Sequence, residues 1–180
     1  QDIPRPIIGY MGTINSTRLD GELLYQIISQ RPDYSFVFTG PEDDIFRRNR
    51  IHSLKNAYFT GQKKVDELPA YIAAYDVCIN PQMVNEITDG NYPLKIDEYL
   101  AMGKPTVATS THTMRNIFAG HTHLAINPEE WLAAIDRAVT EADDKELAKQ
   151  RIAFAETHSW GHSVKKIYDI IDKFLKERTT

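Results

Sequence analysis

Two side chains of opposite charge stand three residues apart in "GNYPLKIDEYLAMGKPTVAT", positions 90 to 109. Lys95 and Glu98 follow Pro93, a residue suited to the first turn of a helix because its missing N–H costs nothing there. The free N–H groups and the positive end of such a helix attract anions, and an ammonium adds a full charge. A diphosphate docked at that end would meet backbone donors and Lys95. Glu98, one turn deeper, could accept two charge-assisted hydrogen bonds from a vicinal diol such as a ribose. The same spacing also occurs in ordinary i, i+3 ion pairs on solvated helix faces. Spacing alone leaves both readings open.

Other segments offer backbone rather than side-chain chemistry. In "GYMGTINSTR", Gly9 and Gly12 bracket the end of an apolar run, and Gly12 with Thr13 would let a phosphate or sugar approach the main chain. Gly12 is equally readable as a strand-end turn. The segment is not G-x-G-x-x-G, and no acidic residue closes "FVFTGP", so the dinucleotide fingerprint of a dehydrogenase is missing. In "YFTGQKKVDELPAY", Gly61 and Gln62 could hydrogen-bond a base edge. The plainer reading is a solvated loop with Asp66 capping the next helix.

The elements that must position these residues alternate along the whole chain. Apolar runs at 6–12, 35–40, 56–61, 77–82, 105–109 and 123–126 read as strands. Helical patterns fall at 18–32, 43–54, 66–75, from Pro93 onward, 129–142 and 143–156, with an amphipathic tail at 163–177. On the quoted helix Ile96, Tyr99, Leu100 and Gly103 form the core face, with Lys95 and Glu98 beside it. This order predicts an α/β fold, a Rossmann-like doubly wound parallel sheet of about six strands covered on both faces. Ligands in such sheets sit at the carboxyl ends of the strands, where strand order reverses. The loops after 12, 40, 61, 82 and 109 are therefore the ones that matter.

Composition narrows the classes. In 180 residues there are 21 Lys and Arg against 25 Asp and Glu, a net charge of −4 that argues against a general nucleic-acid binder. Cys78 is the only cysteine, which excludes a disulfide framework and a cysteine zinc site. No apolar run is long enough for a membrane span, and "QDIPRP" is not a signal peptide, so a reducing cytoplasm is the default compartment. Residues 1–5 are expected to be an interdomain linker remnant and 6–180 a single domain.

The segment "NEITDGNYPLKIDEYLAMGKPTVAT" resembles the donor-binding segment of GT-B-fold glycosyltransferases, in particular the family-4-like bacterial enzymes. Asn85, Thr88, Pro93, Lys95, Glu98, Tyr99, Leu100, Ala101, Gly103, Lys104, Pro105 and Val107 stand in register with that pattern. "GYMGTI", "FTGQ", "ELPAYIAAYDV" and "HSWGHSV" resemble further landmarks. The resemblance implies a C-terminal, nucleotide-sugar-binding domain of a hexosyltransferase of polysaccharide biosynthesis, with a UDP or GDP donor and no cofactor or metal. Lys95 would bind the diphosphate and serve catalysis, and Glu98 would hold the ribose. Gly61 and Gln62 would read the base. The 85–91 loop, with Asn85 and Thr88, would face the sugar, and Gly12 and Thr13 would lie near the phosphates. The acceptor site would be on an N-terminal domain reached by the last helix, through which the enzyme could associate peripherally with the inner face of a membrane. The isolated domain would be inactive. Two departures stand out: the first of two glutamates that many relatives carry is Gly90 here, with Asp89 or Glu86 as substitutes, and of the usual loop cations only Arg18 is nearby. A sugar-nucleotide epimerase and a non-catalytic scaffold share the fold and are the alternatives.

The remaining features have ordinary explanations. "FRRNR", 46–50, fits a solvated face. His121 and His123 would share one face of a strand without an evident third metal ligand. His112 follows the fifth strand, where a ligand would be within reach. Trp131 and Trp160 are expected to pack; for the apolar stripe Val164, Ile167, Ile170, Ile171 and Phe174 packing on its own domain is the ordinary explanation, while the resemblance implies that part of it is exposed where the last helix crosses to a partner domain.

Overall fold

The apolar runs become six strands: β1 Ile7–Met11, β2 Ser35–Thr39, β3 Ala57–Gly61, β4 Val77–Asn80, β5 Thr106–Thr109 and β6 His123–Ala125. In the computed structural model, which describes residues 2–86 and 88–178, all five strand pairings are parallel and the order is β3-β2-β1-β4-β5-β6. Helices α1 (Gly21–Ser29) and α4 (Pro128–Thr140) cover one face. Helices α2 (Leu68–Ala74), α3 (Leu94–Ala101) and α5 (Lys145–Glu156) cover the other. The alternation within β1 shows why its run is continuously apolar: Ile8 and Tyr10 point to the first core, Ile7 and Met11 to the second. The expected doubly wound fold is the one observed.

Helix ends follow their caps. Asp20 accepts from Leu23 N at 2.9 Å, Asn127 from Glu130 N at 2.9 Å and Asp144 from Leu147 N at 3.0 Å. Gly103 does not extend α3 as its place on the stripe predicted. It ends the helix at φ +70°, with Gly103 N donating to Leu100 O at 2.8 Å and Lys104 N to Tyr99 O at 3.0 Å. Pro93 sits one position earlier than expected, at the cap of α3.

Three expectations need correction. The helix expected over 43–54 is two short 3₁₀ turns, Phe46–Arg48 and Arg50–Ser53. Side chains of Asp43 and Asn49 take backbone N–H groups there at 2.6 and 3.0 Å, competing with helix hydrogen bonds. Asp66 is not a cap; a 3₁₀ turn, Val65–Glu67, precedes α2, and Glu67 accepts from Lys64 N at 2.9 Å. After β5 a short helix of π type spans Met114–Phe118. The tail helix α6, Trp160–Arg178, leaves its apolar stripe largely exposed: Val164 is 44% exposed, Ile170 69% and Trp160 85%. Trp131, by contrast, is fully buried. No helix among the described residues is long and apolar enough to cross a membrane.

Chain direction across the sheet reverses at β1. From β1 the chain moves outward through β2 and β3, then returns to lay β4 on the other side of β1. The crevice beyond the carboxyl ends of β1 and β4 is thus where a ligand fits this topology.

Candidate functional site

A two-lobed cleft occupies that crevice. One lobe, of about 580 Å³, is bounded by Tyr10, Asn15, Arg18, Gln82, Asn91 and Tyr92. The other, of about 410 Å³, is bounded by Thr39, Gly40, Gln62, Lys63, Leu68 and Glu98. Gly12, Thr13 and Lys95 line both.

The meeting point of the lobes is built from glycine and one buried tyrosine. Gly12, at φ +139°, donates to Thr39 O at 2.9 Å. Gly40 lies so close behind it that a Cβ there would sit 2.0 Å from Gly12 O. A Cβ on Gly12 would meet Lys95 Nζ at 2.7 Å. Gly40 therefore requires glycine for close approach to backbone as well as for its conformation, whereas at Gly12 the positive φ is the constraint, because the Lys95 side chain can move aside. Tyr99, fully buried on α3, accepts from Met11 N at 2.9 Å and donates to Met11 O at 3.3 Å. That bond pins α3 to the end of β1 and brings Lys95 to Gly12.

Lys95 does not make the surface ion pair that its spacing to Glu98 allowed. Its Nζ donates to Tyr10 Oη at 2.7 Å and lies 4.2 Å above the Tyr10 ring, an arrangement that includes a cation–π contact. Among the described residues no carboxylate lies within ion-pair distance of it. Burial lowers its pKa from 10.5 to about 8; Glu98 opposes that shift and Arg18 adds to it. At neutral pH Lys95 is still a cation, held without a partnering anion at the edge of a cleft. Burial raises the Glu98 carboxyl above its ordinary value against the pull of Lys95. Arg18, treated in the sequence only as a nearby candidate, faces the first lobe and also has no ion-pair partner among the described residues. Lys95 at the junction and Arg18 in the first lobe thus put two positive charges on one cleft, with backbone N–H groups at the start of α3 beside it, an arrangement whose chemistry suits an anion.

The other candidates divide. Gly61 adopts φ +70° at a register shift in β3, with nothing within 4 Å of where a Cβ would be, and Gln62 after it lines the second lobe. Asn85 and Thr88 do not line either lobe. They close a turn on each other: Asn85 N donates to Thr88 Oγ1 and Thr88 N to Asn85 Oδ1, both at 3.0 Å, while the buried Thr88 hydroxyl donates to Met83 O. Short polar side chains that bond neighbouring backbone shape a loop rather than face a ligand. Gly90 opens onto free space. Asp89 accepts from His112 N at 2.7 Å, so one of its oxygens is engaged; Glu86 lies on the exposed side of the same loop. His112 bonds Asn116 at 2.8 Å. His121 precedes β6 instead of lying in it, and stacks on Phe154 at 3.9 Å, while His123 pairs with Glu141 at 3.1 Å. Among the described residues no three His, Cys, Asp or Glu side chains are grouped for a metal. Arg47 pairs with Asp44 at 3.4 Å and Arg50 covers the Tyr25 ring at 3.7 Å, as a solvated face would have them.

Several cleft residues carried no pattern in the sequence. Tyr10, Gly40 and Tyr92 enter the site because β1, β2 and the start of α3 converge, whereas Asn91 ends the 85–91 loop already expected to face the sugar. The one hint was position: each lies within two residues of a strand end or of Pro93.

Residues 5–141 match the family described as Glycosyl transferases group 1. The Bacillus subtilis (strain 168) protein TuaH, whose name describes a glycosyltransferase of teichuronic acid biosynthesis, is 28% identical over 160 residues, covering 86% of this chain and 40% of its own length. The chain thus spans less than half of that relative. Among solved structures, sucrose-phosphate synthase from Thermosynechococcus elongatus superposes with a TM-score of 0.75 at 19% identity, over 98% of this chain and 47% of the other. The Anabaena protein HepE, solved with UDP and glucose, does so with a TM-score of 0.62 at 17% identity, over 95% and 48%. These two likenesses are likenesses of fold, that of half a GT-B enzyme. The match over 5–141 decides the family: this chain belongs to the Glycosyl transferases group 1 family.

Proposed function

We propose that this chain is the donor-binding half of a bacterial glycosyltransferase that moves a hexosyl group from a nucleoside diphosphate sugar to a glycan or lipid-linked acceptor. The observation that supports it best is the Lys95 ammonium, unpaired by any carboxylate among the described residues, beside the Gly12 backbone where two lobes of one cleft meet. In this reading the diphosphate of a UDP or GDP sugar lies across Gly12 and Thr13 and draws Lys95 away from Tyr10. Arg18 supplies a second positive charge. Glu98 accepts from the ribose hydroxyls, and the Gly61–Gln62 backbone meets the base. The sugar enters the larger lobe toward Asn91, with Asn85 and Thr88 acting through the loop they shape. HepE, a structural neighbour, was solved with UDP and with UDP-glucose, which supports a nucleotide-sugar ligand for this cleft.

Catalysis in this reading is electrostatic. As the bond from the sugar to the diphosphate breaks, negative charge grows on the leaving oxygen; Lys95, Arg18 and the α3 N-terminus stabilise it without reorganising. The protein's own residues supply this charge, so the scheme requires no cofactor or metal. The acceptor and any base acting on it belong to an N-terminal domain, against which α6 lays its apolar face. This chain by itself turns over little or no donor. It works in the cytoplasm, at the inner face of the membrane where the acceptor is lipid-linked. Calorimetric titration with UDP and with GDP tests the reading. Millimolar or tighter binding of one of them, abolished in Lys95→Ala and weakened about tenfold in Glu98→Ala, is expected; no heat from either would refute it.

A further inference from the structure

Outside the diphosphate junction, two side chains converge on one carboxylate, making a group of three. Tyr92 Oη donates to Asp97 Oδ2 at 2.6 Å, and His158 Nδ1 bonds Asp97 Oδ1 at 2.8 Å. A carboxylate only accepts, so Nδ1 of His158 carries the proton. Burial and the bond to Asp97 hold the Tyr92 hydroxyl well above its ordinary pKa, so it stays the donor. The three come from separate parts of the fold. Tyr92 lines the larger lobe of the cleft, Asp97 sits on α3 between Lys95 and Glu98, and His158 lies in the turn joining α5 to α6. Phe118 packs against both rings, at 5.5 Å from Tyr92 and 5.7 Å from His158.

We propose that Asp97 is a positioning residue for the donor: it sets Tyr92 as the wall of the larger lobe and is itself braced by His158. The root of the exposed helix α6 and the cleft then form one mechanical unit, so whatever covers α6 is felt at the donor site. This rests on the nucleotide-sugar reading given above. Asp97 has no direct view of the cleft; it is not among the residues lining either lobe. Its carboxylate is only 19% exposed and is engaged on both oxygens, more than a solvated acidic residue in a first helical turn would need.

A double-mutant cycle on this chain tests the inference, with UDP, GDP and the corresponding monophosphates as probes. Tyr92→Phe removes one oxygen and leaves the ring, so a melting temperature close to wild type is expected. Its affinity for the diphosphate falls about fivefold to tenfold, the effect of one charge-assisted hydrogen bond. Affinity for the monophosphate, which does not reach the larger lobe, falls less than twofold. Asp97→Asn loses a similar factor, and the double variant loses no more than the worse single one. His158→Ala weakens the diphosphate about threefold, and His158→Asn, which keeps a donor near the Nδ1 position, restores it. Wild-type affinity in Tyr92→Phe, or losses that multiply in the double variant, would overturn the proposal. Absence of nucleotide binding by the wild-type chain would instead remove the functional reading, and this inference with it.

Discussion

Replacing Lys95 by methionine should make this protein more stable and less functional at once. The burial that lowers the Lys95 pKa from 10.5 to about 8 corresponds, at about 1.4 kcal/mol per pH unit, to a penalty on the order of 3 kcal/mol. Solvent at the cleft mouth reduces it, because Lys95 is only partly shielded. Losing the hydrogen bond and cation–π contact to Tyr10 costs about 1–2 kcal/mol in the other direction. The net gain is therefore about 1 kcal/mol, or about 2–4 °C in Tm for a chain of this size. The sign depends on pH. A lysine whose folded pKa is depressed carries its full penalty below about pH 8; between there and 10.5 the folded chain sheds the proton before the unfolded one, and the penalty disappears. Thermal melts of Lys95→Met should thus show an advantage at pH 7 that is gone by about pH 10, while calorimetry shows loss of UDP or GDP binding. A variant less stable than wild type at pH 7 that still binds nucleotide would refute the reasoning.

Other outcomes follow from the same site. Affinity for the nucleoside diphosphate should fall as pH rises above about 8, where Lys95 loses its proton, and stay level between pH 6 and 7; titrations across that range check it. Gly40→Ala drives a methyl into Gly12 O at 2.0 Å and should cost about 2–4 kcal/mol, read as a lower Tm. Gly61→Ala, with open space around it, should cost only about 1 kcal/mol for its backbone conformation. Glu98→Ala should weaken UDP or GDP about tenfold but change the 2′-deoxy analogue far less, since a ribose contact is what it removes.

How much of this was legible in the sequence depended on the range of the forces involved. The strands could be read because burial on both faces leaves a continuous apolar run, as in "PIIGYM" and "VCIN". The parallel, doubly wound architecture followed from the alternation of strands and helices, while the strand order came only with the structure. The 43–54 segment misled because its charges suit a helix, while Asp43 and Asn49 bond the backbone locally and Phe46 and Ile51 anchor each turn in the core. The placement of Lys95 and Glu98 beside the α3 core stripe could be read from helical spacing. The pairing of Lys95 with Tyr10, 85 positions away, could not, because it depends on how α3 docks against β1. Asn85 and Thr88 matched a pattern, yet patterns do not say whether a polar side chain faces a cleft or its own loop. Gly90 and the packing of α6 show the same limit: a residue type says what it can do, and its surroundings decide what it does.

The most direct measurement is a crystal structure of this chain with UDP or GDP bound. The diphosphate is expected within hydrogen-bond distance of Lys95 Nζ and of the Gly12–Thr13 backbone, with Glu98 on the ribose hydroxyls and the Tyr10–Lys95 bond broken. Nucleotide bound elsewhere, with Lys95 still on Tyr10 and Glu98 in solvent, would contradict it.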